Sequence, residues 1–175
     1  MSFQSLNKLF LDRAEENLEK PFLWSKTDKE WKSLTWQETS KNVKAFSSGL
    51  KAHGIKPGDR VVIVSENRPE WIVADLAITM IGGITVPAYT TNTEDDHHYI
   101  LEHSGAKAVI TSNNILANRL ALATTRTKYC KLLITIDNYN GFEPEGLNIL
   151  SYNEINNFGK NTIENSTDHL DKIQP

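Results

Sequence analysis

Cysteine is nearly absent: the 175 residues contain one, Cys130, beside 9 glycines and 6 prolines. A single thiol excludes an intramolecular disulfide framework and a zinc cage built from several cysteines, and it fits a reducing compartment. Its simplest role is that of a small buried apolar side chain beside a strand. Excess positive charge is missing as well. Nineteen Lys and Arg stand against 22 Asp and Glu, a net charge of −3. That balance gives no footprint for nucleic acid and no polybasic run for an anionic membrane. Long apolar runs are also lacking. The most apolar stretch, Trp71 to Tyr89, has Asp75 as its only formal charge, but Gly82, Gly83 and Pro87 divide it into a helix, a turn and a strand. Met1 to Leu11 lacks the basic region and apolar stretch of a secretory signal. These absences predict a cytoplasmic protein with no transmembrane segment, and leave peripheral contact at a membrane open.

What is present is pattern. Leu6, Leu9, Phe10, Ala14 and Leu18 recur at helical spacing and stop before Pro21. Phe22 to Ser25 and Glu30 to Thr35, joined by Lys26 to Lys29, read as a small antiparallel hairpin. Thr35 and Glu38 have the spacing of a capping box, opening a helix that carries Val43, Phe46 and Leu50 and ends at Gly54. From Arg60 the order becomes regular. Val61 to Val64, Ile84 to Val86, Ala108 to Ile110 and Leu132 to Ile136 read as buried strands. Helices opened by Pro69, Thr93 and Asn114 separate them, and Glu94, Asp95 and Asp96 sit in a first turn where the helix dipole favours negative charge. Runs without a period of two predict a parallel sheet covered on both faces. The expected fold is therefore a three-layer, doubly wound α/β core over residues 60–136, with a mainly parallel sheet, preceded by a helix and a small antiparallel hairpin. Trp71, Leu76 and Met80 are expected in its core.

Beyond residue 136 the chain becomes polar, with eight asparagines between Asn138 and Asn165. Ser151 and Glu154 form another capping box, opening a short helix through Ile155 and Phe158. Residues 159–175 read as a polar linker toward further sequence.

In such a sheet, ligands bind at the carboxyl ends of the strands. The loops there are Ser65 to Arg68, Tyr89 to Asn92, Thr111 to Asn113 and Asp137 to Asn138. No G-x-G-x-x-G or G-x-x-x-x-G-K-[ST] occurs, so neither a Rossmann turn nor a Walker loop is present. His97, His98 and His103 share a predicted helix on different faces; only His98 and Glu102 could share one. Two ligands do not make a metal site, so these read as solvated surface residues and no metal ligand is assigned. Trp24, Trp31, Trp36 and Trp71 read more simply as core and staple residues than as a binding surface.

Four blocks are more specific than any of these. Leu34-Thr35-Trp36-Gln37-Glu38, Gly54-Ile55-Lys56-Pro57-Gly58-Asp59-Arg60-Val61, Ser65-Glu66-Asn67-Arg68-Pro69-Glu70-Trp71 and Gly82-Gly83-Ile84-Thr85-Val86-Pro87-Ala88-Tyr89 follow one another closely, and Tyr99 to Lys107 continues the series. Together they resemble the N-terminal region of the AMP-forming acyl-CoA synthetases, within that group the long-chain fatty acid branch. The resemblance runs from about Leu6 to the C-terminus and implies that residues 1–175 are a partial N-terminal subdomain of that fold.

The family joins a fatty acid to ATP as an acyl-adenylate, with magnesium and release of pyrophosphate, and then transfers the acyl group to coenzyme A. Its phosphate loop, its adenine, ribose and fatty-acid contacts and its catalytic lysine correspond to no position here. No catalytic residue is carried over, and ATP, magnesium and coenzyme A are assigned to full-length relatives rather than to this chain. One weaker implication concerns coenzyme A, whose nucleotide lies in some relatives near the loop matching Tyr89 to Asn92. Thr91 and Asn92 could donate hydrogen bonds there, although the phosphate-binding arginine of certain relatives is missing and helix capping competes as their role. The resemblance thus implies an N-terminal fragment of a long-chain fatty acid–CoA ligase, inactive alone. Its implied partners are the rest of the synthetase or a homologous partner, with fatty acid and coenzyme A as ligands and no nucleic acid. The alternative is a free-standing interaction or regulatory module that pairs with a catalytic partner. A small unrelated α/β enzyme is the reading from another class.

Overall fold

A computed structural model describes residues 5–165 of the chain. Ser5 caps α1 (Leu6–Asn17), its hydroxyl accepting from the Lys8 amide, and the helix turns Phe10 and Ala14 inward. Strands β1 (Pro21–Thr27) and β2 (Glu30–Thr35) pair antiparallel through a turn at Asp28 and Lys29, whose φ angles are 53° and 68°. Two consecutive left-handed residues match the right-handed twist of the strands. The hairpin therefore zips through Lys26 and Thr27, and its loop is two residues rather than the four expected. Helix α2 (Trp36–Ala52) follows with the predicted capping box: the Glu38 amide donates to the Thr35 hydroxyl at 3.1 Å and the Thr35 amide to the Glu38 carboxylate at 2.8 Å.

The rest is strand–helix alternation: β3 (Arg60–Val64), α3 (Pro69–Met80), β4 (Ile84–Ala88), α4 (Glu94–Ser104), β5 (Ala108–Thr111), α5 (Asn114–Thr124), β6 (Leu132–Thr135), β7 (Asn148–Ser151) and α6 (Tyr152–Asn165). The strands form one parallel sheet in the order β4-β3-β5-β6-β7. Side chains alternate between its faces. Val61, Ile63, Ile110 and Ile134 pack against α2, α3 and α6, while Val62, Val64, Val109 and Leu133 pack against α4 and α5. Three layers result, as the sequence predicts. Cys130 is buried beside β6. Among the described residues no helix is long and apolar enough to cross a membrane.

Several expectations are corrected. A fifth strand, β7, extends the sheet beyond residue 136, pairing Ile149 with Leu133 and Leu150 with Ile134. β4 is an edge strand rather than a buried one, with Ile84 half exposed; Pro87, which cannot donate to a ladder, belongs on such an edge. α6 continues past Gly159 to Asn165, so the segment read as linker starts as helix, and residues 166–175 lie outside the described residues. Gly159 is no helix stop. It lies against the Ala45 carbonyl and the Gly49 amide, where the backbones of α6 and α2 nearly touch. Trp24 and Trp31 are 56% and 65% exposed on the hairpin, not in the core. Trp36 stacks on Phe22 at 3.7 Å, and Trp71 packs half-buried at the margin of the core, whereas Leu76 and Met80 are buried within it.

Candidate functional site at the carboxyl edge of the sheet

β3 leads to a helix on one face and β5 to a helix on the other, so the crevice between their carboxyl ends is the switch point where such sheets bind ligands. Ser112 follows β5, and Asn113 caps α5 by accepting the Leu116 amide at 3.0 Å. Asn113 also donates its side-chain amide to Glu66 across the crevice at 3.1 Å. The Ser112 hydroxyl, then the backbone amide of Glu66 itself, nearby Arg68 and Asn113, hold the Glu66 carboxyl below its ordinary pKa against the opposing effect of burial. Glu66 is thus a fixed negative charge at the switch point.

Arg68 stands beside it at the start of α3. Its guanidinium donates to Glu70 at 2.9 and 3.3 Å and to Asp137 at 3.0 Å, tying the β3 loop to the β6 loop. Burial opposes its charge, but the bonds to Glu70 and Asp137 outweigh that and raise its pKa. The Asp137 loop is fixed in turn by its amide donating to the Ser112 carbonyl at 2.9 Å and by Asn118 accepting from the Tyr139 hydroxyl at 3.1 Å. Beyond Arg68 an open groove of about 720 Å³ runs between the hairpin and the first turns of α3 and α6, lined by Trp24, Trp31, Asn67, Tyr152 and Asn156.

Thr91 lies exposed and Asn92 half-buried in the β4–α4 loop, and among the described residues neither side chain makes a hydrogen bond. The loop is held from below. Arg119 of α5, which no motif in the sequence marks, donates to the Asn92 carbonyl at 2.5 Å and the Thr90 carbonyl at 3.5 Å. Thr93 and Asp96 then close a capping box, so the hydroxyl that caps the helix is Thr93 and the Thr91 and Asn92 side chains remain free for a ligand.

His97 corrects the sequence reading. It is 1% exposed, and both ring nitrogens lack a partner in the described residues. Docking of α4 on α5 turns it inward, and burial first, then the Arg119 charge, push its pKa down despite Asp96. No three His, Cys, Asp or Glu of the described residues come together as metal ligands. A group more easily protonated unfolded than folded stabilises the chain fully above its unfolded pKa, and that stability is lost as pH falls. The urea midpoint is therefore expected to decline as pH drops below about 6.5. In His97→Leu that part of the decline should vanish, and an unchanged slope would place the titration elsewhere. A second decline belongs to the carboxyls of Glu38, Asp96 and Glu154, held below their ordinary pKa by bonds from Thr35, Thr93 and Ser151. It begins below about pH 4.5 and persists in the His97 variant.

The carboxyl edge is rich in carboxylates. Glu66, Glu70 and Asp137 line it, and its guanidiniums are already committed, Arg68 to carboxylates and Arg119 to carbonyls. The family model described as AMP-binding enzyme matches residues 10–166. The chain belongs to the AMP-binding enzyme family. It is 34% identical over 91 residues to the long-chain-fatty-acid–CoA ligase FadD15 of Mycobacterium tuberculosis, covering 52% of this chain and 15% of that protein. It is 26% identical over 172 residues to the peroxisomal long chain acyl-CoA synthetase 7 of Arabidopsis thaliana, covering 91% and 24%. The crystal structure of coronafacic acid ligase from Pectobacterium brasiliense superposes with a TM-score of 0.77 at 19% identity, over 88% of this chain and 29% of that one, which shows the shared fold. The matches thus span between 15% and 24% of the length of these two curated relatives.

Proposed function

We propose that this chain forms the N-terminal part of an AMP-forming long-chain fatty acid–CoA ligase and carries none of its catalytic groups. The observation that supports this reading is the family match across residues 10–166 together with relatives named as long-chain ligases. The reaction would consume fatty acid, ATP and coenzyme A and release AMP and pyrophosphate. Triphosphate binding needs convergent amides, hydroxyls or cations to replace lost hydration. Those groups are assigned to other parts of the enzyme, because the carboxyl edge here is lined with carboxylates and paired arginines. The contribution proposed for this chain is scaffold plus one contact: the Thr91 and Asn92 side chains, on a loop pinned by Arg119, donate hydrogen bonds to the nucleotide end of coenzyme A.

Calorimetric titration with magnesium–ATP and with coenzyme A, alongside fatty-acid-dependent pyrophosphate release, tests this. The expected result is no pyrophosphate, no saturable ATP binding, and weak coenzyme A binding that Thr91→Ala with Asn92→Ala abolishes. Micromolar ATP affinity or measurable pyrophosphate would overturn the assignment of catalysis outside the chain. Coenzyme A binding unchanged in the double variant would remove the loop from the site.

A further inference from the structure

The opposite end of the sheet carries a second groove, of about 580 Å³, where the strands begin. Its charge contrasts with the chain's net −3: Lys56, Lys107, Lys128 and Lys131 line it, with Asp59 as its one carboxylate. The fold forces two of these lysines together. The Lys131 amide donates to the Lys107 carbonyl at 3.1 Å, continuing the β5–β6 ladder, so both side chains leave adjacent strands at the same level. Like charges so placed repel, and the sheet offers no relief by register shift because both strands are buried.

None of the four ammonium groups is ion-paired within the described residues. Asp59 turns back to accept the Lys56 backbone amide at 2.8 Å, and Glu102, nearby, accepts the Lys128 backbone amide at 3.2 Å. Lys107 is held over the Tyr129 ring, 5.1 Å from its centroid, which orders it without neutralising it. Helix C-termini gather at this end too, and lysines could serve only to offset their dipoles. Arg60 already performs that task for α4, donating to the Ser104 carbonyl at 2.6 Å and to the Gly105 carbonyl at 3.0 Å. The end of α2, which also lines the groove, is closed by its own backbone, His53 donating to the Gly49 carbonyl and Gly54 to the Lys51 carbonyl, and among the described residues none of the four lysine side chains donates to a helix carbonyl.

We propose that this groove binds a phosphate-bearing anion with more than one negative charge. Several flexible point charges around an open groove suit a multivalent phosphate, which needs charge rather than the planar fork that arginine gives a carboxylate. The site lies at the amino edge and is independent of the ligase reading.

Inorganic pyrophosphate is the probe, followed on the whole chain by amide chemical shifts and calorimetry at low and high salt. Saturable binding is expected at low salt, weakened by added salt, with shifts centred on Lys107, Tyr129 and Lys131. Lys107→Gln with Lys131→Gln should weaken it roughly tenfold or more. Lys20→Gln with Lys41→Gln, which removes the same charge elsewhere, should not; thermal melts of both pairs confirm folding. A second arm uses vesicles of phosphatidic acid in phosphatidylcholine. Vesicle binding that pyrophosphate displaces assigns the anion to a lipid headgroup, and pyrophosphate binding without vesicle binding assigns it to a free phosphate. No saturable binding in either arm, or equal loss in both double variants, overturns the proposal.

Discussion

Phe46→Ala is expected to lower the stability of the chain by about 3–5 kcal/mol, measured as a shift of the urea midpoint at an unchanged m value. Phe46 is fully buried in α2 and stacks on Tyr152, the first residue of α6, with ring centroids 4.3 Å apart and planes 20° from parallel. Val43, Leu50 and Ile155 belong to the same cluster. Truncation removes the ring that stacks on α6 and leaves a void in a close-packed cluster that relaxes only partly. Since a domain of this size is stable by about 5–15 kcal/mol in total, the variant should be near the margin. Trp71→Ala should lose less despite the larger ring, because Trp71 is half-buried at the core margin. A loss for Phe46→Ala below about 1 kcal/mol would mean that α6 is not seated on α2 as described.

Gly159→Ala should go against the ordinary helix rule. In an exposed helix interior, alanine for glycine stabilises by roughly 1 kcal/mol. At 159 a Cβ would stand 2.9 Å from the Gly49 nitrogen and 2.7 Å from the Ala45 carbonyl carbon, with the Ala45 oxygen closer still. Those atoms are helix backbone and cannot rotate away. Gly49 faces the same contact from the other helix, where a Cβ would meet the Ile155 backbone carbon at 2.9 Å. The expected outcome is a loss of about 3 kcal/mol or more and faster amide exchange in α6 beyond Phe158. Asn157→Ala, at an exposed position of the same helix, supplies the control and should change little. Stabilisation by Gly159→Ala would show that the helices stand further apart.

Gly159 also shows where sequence reading stops. The sequence reading begins a polar linker at this residue, whereas its use here is close approach, without a Cβ, to a helix more than a hundred residues earlier. Patterns of short range were legible. The capping boxes at Thr35 and Ser151, the helix cap at Thr93 and the four strands between Arg60 and Thr135 depend on neighbours in the chain. β7 was not, since Asn148-Ile149-Leu150-Ser151 offers two apolar residues in an asparagine-rich stretch and becomes a strand by pairing with β6. The burial of His97 and the exposure of Trp24 and Trp31 depend likewise on docking. Pro87 was a usable signal for an edge strand. Of the site, the polar loops at the carboxyl edge could be located, but not the Arg68–Asp137 pair or the Arg119 clamp, which join residues 69 and 27 apart.

The central claim, that this chain supplies the N-terminal scaffold of a long-chain fatty acid–CoA ligase, is tested most directly by transplantation. The matched segment of the Arabidopsis synthetase, which covers 91% of this chain, is replaced by the corresponding part of this chain, and acyl-CoA formation from a long-chain fatty acid, ATP and coenzyme A is measured. The account predicts acyl-CoA formation by the chimera, with Thr91→Ala and Asn92→Ala raising the KM for coenzyme A while leaving that for ATP unchanged. A folded chimera that forms no acyl-CoA would contradict it.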